Sequence, residues 1–432
     1  MIADDLTGAA DCAASSAALR CKAVVLLRSP EDQEPEADWP DTDILSIDAN
    51  SRCLPAEQAS ELTTRLIHLC HSHNADRRGY ILYKKIDSTL RGNVAEELAA
   101  LLHARRSINP VNARLSILMA PALPAQGRTT VGGRLLVYGA PLEETDIWQT
   151  EARTVRSDIP QLFANAGISC GLVDINTVRS SLTGLRQAIL QSGNQNDVVV
   201  CDAETDGDLG AIAEASLGQP TITAWVGSAG LAAQILRAIG IAPHTESRAL
   251  EFAAGPALFV VGTAASVSRR QARNLETIPE IATFRATPEV LQNSPIMHTQ
   301  MMQSLQSGRD VLLVLDGDER CSKYEGQVLS HALSGPVSNC GPFLGGLVAT
   351  GGETARAVLD ALGIRRLRLL GEVEVGLPFS VADFRLRPLP VITKAGAFGS
   401  PQALIRCRKF LRELERVPAS LQENAPSLDH RS

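Results

Sequence analysis

Tyr83-Lys84-Lys85-Ile86-Asp87-Ser88-Thr89-Leu90-Arg91-Gly92-Asn93 (residues 83–93) is the stretch on which the reading of this chain turns. The apolar run Ile81–Lys84 ends in two lysines and a polar turn follows. The next residues, Val94–Ala104, place apolar side chains at 94, 98, 101 and 102, the spacing of a helix. Strand, polar turn and helix make the repeating unit of a parallel α/β sheet, whose ligands bind beyond the carboxyl ends of the strands. Successive strand side chains point to opposite faces, so Lys84 and Lys85 diverge and only one reaches into a cleft. Arg91 suits a bidentate grip on a carboxylate. Ser88 and Thr89 suit donation to sugar-like hydroxyls or to an anion at the helix start. A solvated capping turn is the plainer reading of the same residues.

The unit recurs on both sides. Strands are expected at Ala23–Leu27, Ile44–Ile47, Leu115–Ala120, Gly171–Ile175, Val198–Asp202 and Thr221–Val226, then at Ala257–Val261, Val311–Leu315, Gly346–Ala349, Arg366–Leu370 and Pro390–Thr393. Helical patterns lie between many of them, as at Leu209–Leu217, Leu231–Ile239 and Thr354–Leu362. A strand ahead of Asp4 is cut to Ile2-Ala3. Residues 242–256 are polar and loop-like, and Pro256–Gly262 restarts the strand-to-glycine pattern. The expectation is two Rossmann-like α/β domains with largely parallel sheets, residues 1–240 and 255–415, an active-site cleft between them, and a mobile tail at 416–432.

Composition narrows the function classes. The 432 residues are 44% apolar and 21% charged, enough for full-sized cores. The net charge of −7 and the lack of a long basic block disfavour nucleic-acid binding. No apolar run approaches the ~20 residues needed to span a bilayer, and the N-terminus Met1-Ile2-Ala3-Asp4-Asp5 is acidic where a secretory signal is basic. Nine scattered cysteines without a Cys-x-x-Cys pair fit a reduced, cytoplasmic protein. His68, His71 and His73 lie in a polar helix end and give no metal-ligand spacing.

Further constellations carry chemistry. In Asp4-Asp5-Leu6-Thr7-Gly8, two carboxylates sit at a strand end ahead of a helix; one suits a general base, while helix capping is the bland reading. Arg52 follows the strand Ile44–Ile47 and Arg128 follows a proline-punctuated loop; either suits an anion, and either suits an ordinary surface or structural role. Gly227-Ser228-Ala229-Gly230 reads by default as a packing turn. Glycine turns at 262–268, 350–354 and 393–400 each follow a strand, and together they suggest a nucleotide site. There is no Walker-type Gly-x-x-x-x-Gly-Lys-[Ser/Thr] sequence and no well-placed Gly-x-Gly-x-x-Gly.

These motifs together resemble the four-carbon acid sugar kinase family, closest to its D-threonate kinase branch. The landmarks are IADDLTG (2–8), YKKIDSTLRGN (83–93), GRTTVGGRLLVYGAPLEET (127–145), VVVCDAET (198–205), VGSAGLA (226–232), RRQ (269–271), TGGET (350–354) and VITKAGAFGS (391–400). The resemblance implies an N-terminal domain for the sugar acid, a C-terminal domain for ATP, and Mg²⁺-dependent phosphorylation of the C4 hydroxyl. D-threonate is the first expected acceptor, with D-erythronate or 3-oxo-tetronate next. By matching position it implies Asp5, Arg52, Lys85, Ile86, Asp87, Ser88 and Arg91 as sugar-acid contacts, with Asp5 or Asp87 as the base and Asp5 preferred. It implies Thr263, Ala265, Ser266, Gly352, Glu353, Gly396, Ala397, Phe398 and Gly399 as nucleotide contacts, and leaves room for a homodimer. Two positions depart from the pattern: Ala265 stands where relatives carry serine, and Ala397 where glycine is usual. The loss at 265 favours the alternative of a non-catalytic sugar-acid or nucleotide sensor, and an aspartate-dependent phosphohydrolase is a second rival.

Overall fold

The computed structural model describes residues 1–17, 19, 21–27, 39–74, 80–109, 114–145, 148, 156–241, 252, 254–262, 265–316, 325–385 and 387–414. The expected tail at 416–432 lies outside the described residues. The chain divides into two compact units. The first gathers Met1–Ser15, Arg28–Asp41 and Ile47–Ala242, and the second Ser16–Leu27, Thr42–Ser46 and Pro243–Ser432.

The first unit is built on parallel strands: β1 (Ile2–Ala3), the end of β3 (Ile44–Asp48), β4 (Tyr83–Lys85), β5 (Ser116–Ala120), β9 (Cys170–Val173), β10 (Val198–Cys201) and β11 (Ile222–Gly227). Their order is β3-β1-β4-β11-β5-β10-β9, every neighbouring pair parallel. Central strands such as Ser-Ile-Leu-Met-Ala and Val-Val-Val-Cys are apolar along most of their length because both faces are covered. The helices are α1 (Leu6–Ala17), α2 (Ala56–His73), α3 (Val94–Ile108), α4 (Ile159–Asn165), α5 (Ile175–Val178), α6 (Leu182–Gln195), α7 (Asp206–Ser216) and α8 (Ala229–Ile239). Leu185 and Ile189 of α6, Leu209 and Ile212 of α7, and Leu231 and Ile235 of α8 close over Leu118, Val199 and Trp225. An antiparallel sheet, β6 (Arg128–Val131), β7 (Arg134–Val137) and β8 (Ala140–Pro141), is appended, its turn pinned where the Gly132 and Gly133 N–H groups donate to Asp202 at 2.7 and 2.9 Å.

The second unit holds β2 (Ala23–Leu27), β12 (Ala257–Val261), β13 (Ile281–Ala286), β14 (Asp310–Leu315), β15 (Gly346–Thr350), β16 (Arg366–Glu372), β17 (Pro378–Phe384) and β18 (Arg387–Lys394). The run β13-β14-β12-β15-β18 is parallel, and β18-β17-β16-β2 continues it antiparallel. Its helices are α9 (Ser266–Glu276), α10 (Pro288–Gln292), α11 (Pro295–Gln306), α12 (Glu325–Cys340), α13 (Gly352–Ala361) and α14 (Ala403–Leu414). Phe259, Leu312, Val348, Ile392, Leu404 and Phe410 lie in its core. Fully buried Asp310 anchors α14, accepting from Arg408 Nε at 2.7 Å and Arg412 Nη2 at 2.8 Å.

The α/β class with largely parallel sheets is as the sequence implied. The antiparallel portion is not: β13 and β17 were not expected, and residues 23–27 pair with β16, far away in sequence. In each unit one strand is flanked by chain that leaves in both directions, β1 between β3 and β4, and β12 between β14 and β15. Such reversals open a crevice at the carboxyl ends of the strands.

Candidate active site

Three loops meet at the reversal around β1. Asp4 and Asp5 follow β1, residues 49–52 follow β3, and residues 86–91 follow β4. Backbone bonds fix the first two together: Ala49 N–H donates to Ala3 O at 2.9 Å, and Ser51 and Arg52 N–H to Asp4 O at 2.9 and 3.1 Å.

An ion cluster sits on that frame. Arg52 Nε and Nη2 grip Asp4 at 2.8 and 3.1 Å, Nη1 donates to Asp5 Oδ2 at 2.7 Å, and Nη2 lies 3.7 Å from Asp87 Oδ1. Arg91 Nε and Nη2 hold Asp87 at 2.9 and 2.7 Å, and Thr89 donates to the same carboxylate through its N–H at 3.0 Å and through its hydroxyl. Lys85 Nζ donates to Ile86 O at 2.9 Å, and a Cβ on Gly8 would lie 2.7 Å from both that nitrogen and Asp5 Oδ1, so only glycine fits there. Asp5 also caps α1, accepting from Gly8 N–H at 2.8 Å and from Thr7 Oγ1 at 2.8 Å. Capping and membership of the cluster are thus one arrangement.

Asp4, Asp5 and Asp87 face Arg52, Lys85 and Arg91, three charges of each sign, all but the arginines buried. Burial alone pushes the Asp5 carboxyl up; Arg52 and Lys85, with the bonds from Thr7 and Gly8, outweigh it and hold Asp5 below the usual carboxylate range. Asp87 is held further down: burial raises it, and Arg91 and Arg52 lower it by more. Burial pushes Arg52 down, and Asp4, Asp5 and Asp87 together hold it well above its ordinary value.

The two lysines diverge as the strand alternation requires. Lys84 forms a buried pair with Glu97 Oε2 of α3 at 3.0 Å, while Lys85 belongs to the cluster. Glu97 Oε1 in turn accepts from Ser51 Oγ at 2.6 Å, which braces the Arg52 loop. Asp4 is the residue that the sequence reading left out of its site: in DDLTG the two carboxylates are indistinguishable until β1 and β3 pair. Ile86 is buried and contributes its carbonyl; Ser88 is half-buried in the turn. Arg128 is buried in β6 and donates to Gln126 O. Ser228 accepts from Gly230 N–H at 3.1 Å and donates to Ala122 O at 2.6 Å, a structural turn. Among the described residues no three His, Cys, Asp or Glu side chains come together as a metal site, His68, His71 and His73 included.

In the second unit, the chain after β12, β15 and β18 supplies the glycine turns. Gly262 approaches α13 so closely that a Cβ would lie 2.1 Å from Thr354 Oγ1. Thr263 lies outside the described residues. Ala265 caps α9 with no side-chain bond, and Ser266 is exposed at the first position of that helix. Gly352 and Glu353 open α13, and Gly351 N–H donates to Lys394 O at 2.8 Å, tying the start of α13 to the end of β18.

The turn after β18 is held by its carbonyls. Ser268 Oγ donates to Gly396 O at 2.6 Å, and Gln271 Nε2 donates to Phe398, Gly399 and Ser400 O at 3.1, 3.1 and 2.8 Å. Lys394 Nζ donates to Ala395, Gly396 and Phe398 O at 2.9, 3.2 and 3.0 Å. The N–H groups of Gly396, Ala397 and Gly399 have no partner among the described residues. Unpartnered amides on a loop whose carbonyls are held elsewhere are donors available to an anion. Ala397 is not at positive φ, so its departure from glycine carries no backbone strain.

Comparison with known proteins gives the two halves of the chain separate domain matches. The chain matches the model of a sugar-binding N-terminal domain over residues 1–235 and that of a nucleotide-binding C-terminal domain over residues 258–404. A D-threonate kinase of Cupriavidus necator is 38% identical over 430 residues, 97% of this chain and 99% of the other. A D-erythronate kinase of Heliobacterium modesticaldum is 27% identical over 451 residues, 95% of this chain and 96% of the other. Among solved structures, a Salmonella typhimurium protein described as a tRNA synthase superposes with a TM-score of 0.74 over 95% of this chain and 98% of its own, at 22% identity; that likeness concerns the fold alone.

Proposed function

The chain belongs to the four-carbon acid sugar kinase family, and on that premise we propose that it transfers the γ-phosphoryl group of ATP to the C4 hydroxyl of D-threonate. The relative at 38% identity, a D-threonate kinase, supports that acceptor, with D-erythronate next. The observation that carries the reading is the charge-balanced cluster of Asp4, Asp5, Arg52, Lys85, Asp87 and Arg91. A small hydroxy acid needs a cation for its carboxylate and fixed acceptors for its hydroxyls, and the cluster offers both. Lys85 is the cation least committed to a carboxylate, since its own bond goes to a backbone carbonyl. It receives the substrate carboxylate, with Arg52 beside it.

Asp5 then takes the C4 proton. In the free cluster its carboxyl lies below the range suited to a base, because Arg52 and Lys85 outweigh burial. A substrate carboxylate adds one negative charge to a neutral cluster and raises Asp5 toward that range. Asp87, gripped by Arg91 and Thr89, stays ionised and orients the turn. The amides of Gly396, Ala397 and Gly399 and the starts of α9 and α13 receive the nucleotide phosphates. Mg²⁺ enters as part of the nucleotide substrate. Cysteines with no disulfide among the described residues fit work in the cytoplasm.

The test is ADP formation with Mg-ATP and D-threonate, D-erythronate, L-threonate or 3-oxo-tetronate, with the product's phosphate located by ³¹P NMR. Substrate-dependent ADP and a 4-phosphate ester from D-threonate are expected. Turnover with another acid alone would move the acceptor; phosphate release without ADP would replace the reaction class.

A further inference from the structure

Lys394 is fully buried at the end of β18, beneath the loop 395–400. Its ammonium donates to Ser268 Oγ at 2.7 Å and to the carbonyls of Ala395, Gly396 and Phe398. Among the described residues it makes no ion pair with a carboxylate. The acid that acts on it, Glu374, is spent elsewhere: its oxygens accept from Ser400 N–H at 2.7 Å, Ser400 Oγ at 3.1 Å and Arg406 Nη1 at 2.8 Å. A lone buried charge is costly unless something balances it. Neutral donors, Ser268 and Gln271, already pin most of the same carbonyls. A cation is therefore more than the loop's shape requires, and among the described residues its charge has no counter-ion of its own while three amides of the same loop have no partner.

We propose that Lys394 is a positioning residue for nucleotide binding, adding to the hold on the loop carbonyls and supplying the buried positive charge that a bound polyphosphate neutralises. The proposal rests on reading 395–399 as the phosphate loop and names what makes that loop selective for an anion. Cys407 from α14 and Glu374 from the turn between β16 and β17 are the titratable groups facing Lys394; α9 faces it with Ser268 and Gln271, which do not titrate. Burial pushes the ammonium down to about 8, with Cys407 and Glu374 pushing weakly back. A bound anion raises it again, so nucleotide binding near pH 8 draws in a proton. The linkage signs oppose each other. In the free protein, deprotonation above pH 8 relieves the cost of burying the charge, so the Lys394 contribution to stability improves as pH rises toward the unfolded value. Nucleotide affinity falls over the same interval.

Calorimetric titration of the full chain with Mg-ADP, in buffers of differing ionisation enthalpy, tests this without relying on turnover. Wild type is expected to take up about half a proton at pH 8, and to lose affinity by up to about tenfold per pH unit above it. Lys394→Met is expected to bind at least tenfold more weakly at pH 7 and to show no such uptake. Equal uptake in the two proteins, or affinity within twofold, overturns the proposal. Ala397→Asp, which puts a negative charge on the exposed loop tip, separates the premises. If it leaves Mg-ADP affinity unchanged, the loop is not the nucleotide site and both readings fall. If it weakens binding tenfold while Lys394→Met does not, only the role of Lys394 falls. Should Lys394→Met not fold, wild-type uptake and a threefold or greater loss in Ser268→Ala decide; neither appearing overturns the proposal.

Discussion

On the proposed function, the cluster around Asp5 and the loop around Gly396 face the same problem, recognition of an anion, and meet it with opposite materials. The first is made of side chains that grip one another: Arg52 on Asp4 and Asp5, Arg91 on Asp87. The second is made of backbone whose carbonyls are held from behind by Ser268, Gln271 and Lys394, leaving amides in front. Side chains in fixed forks discriminate among small hydroxy acids, because a misplaced hydroxyl leaves a buried group unpaired. Backbone amides can bind phosphate whatever side chains a loop carries, and Ala397 in place of glycine brings no positive-φ strain. The first region should therefore be fragile at the residues proposed to touch ligand, and the second at the residues that hold the loop carbonyls.

The sharpest way to break that contrast is Asp5→Asn. It removes the base and one acceptor of Arg52 while leaving the other unit untouched. We expect kcat to fall by ~10²–10⁴, with Mg-ADP affinity within twofold of wild type. A near-normal kcat would reassign the base. Arg52→Lys comes next: an ammonium lacks the planar fork whose separate nitrogens, Nε, Nη2 and Nη1, reach Asp4 and Asp5 at once. Loss of such charge-assisted bonds, each ~1.5–3 kcal/mol, predicts a rise of ~10–10² in KM for the sugar acid. An equal rise in KM for ATP would mean that the two regions are not separable.

Acid titration probes the cluster as a unit. Asp87 and Asp5 have folded values below their ordinary ones, because Arg91, Arg52 and Lys85 outweigh burial. Their contribution to stability is complete above the unfolded pKa of ~4 and is lost as pH falls below it toward the folded values. Thermal midpoints measured from pH 6 down to pH 3 are expected to drop below about pH 4. Asp87→Asn should start lower and flatten that drop; an unchanged acid limb would mean that Asp87 gains nothing from Arg91.

Much of this was legible in the sequence, for identifiable reasons. Strands such as Val198–Cys201 announce themselves as apolar runs, and the polar turn after Tyr83-Lys84-Lys85 marks a site because so many chemistry-bearing residues follow one strand. What stayed hidden depends on pairing between distant segments. Asp4 joins Asp5 in the cluster only because Arg52, 48 residues away, reaches both carboxylates. Lys84 is structural only because Glu97 waits on α3. β17 opens on Pro378 and pairs antiparallel, so nothing local separates it from a loop. The role of Lys394 depends on Ser268, 126 residues earlier in the chain.

The smallest expected effect falls on the backbone-built region. Ala265 sits at the N-cap of α9 with φ −56° and ψ 124° and offers no side-chain acceptor to the first turn. Serine fits that conformation and restores a capping bond, so Ala265→Ser should raise stability by ~0.5–2 kcal/mol, read as a higher thermal midpoint. If the loop recognises phosphate through amides, as proposed, Mg-ADP affinity should move by less than threefold. If instead affinity rises tenfold or more, the hydroxyl at 265 is itself a nucleotide contact that this chain lacks. Recognition in the second unit would then be shared between backbone and side chain, and the contrast with the Asp5 cluster would be one of degree.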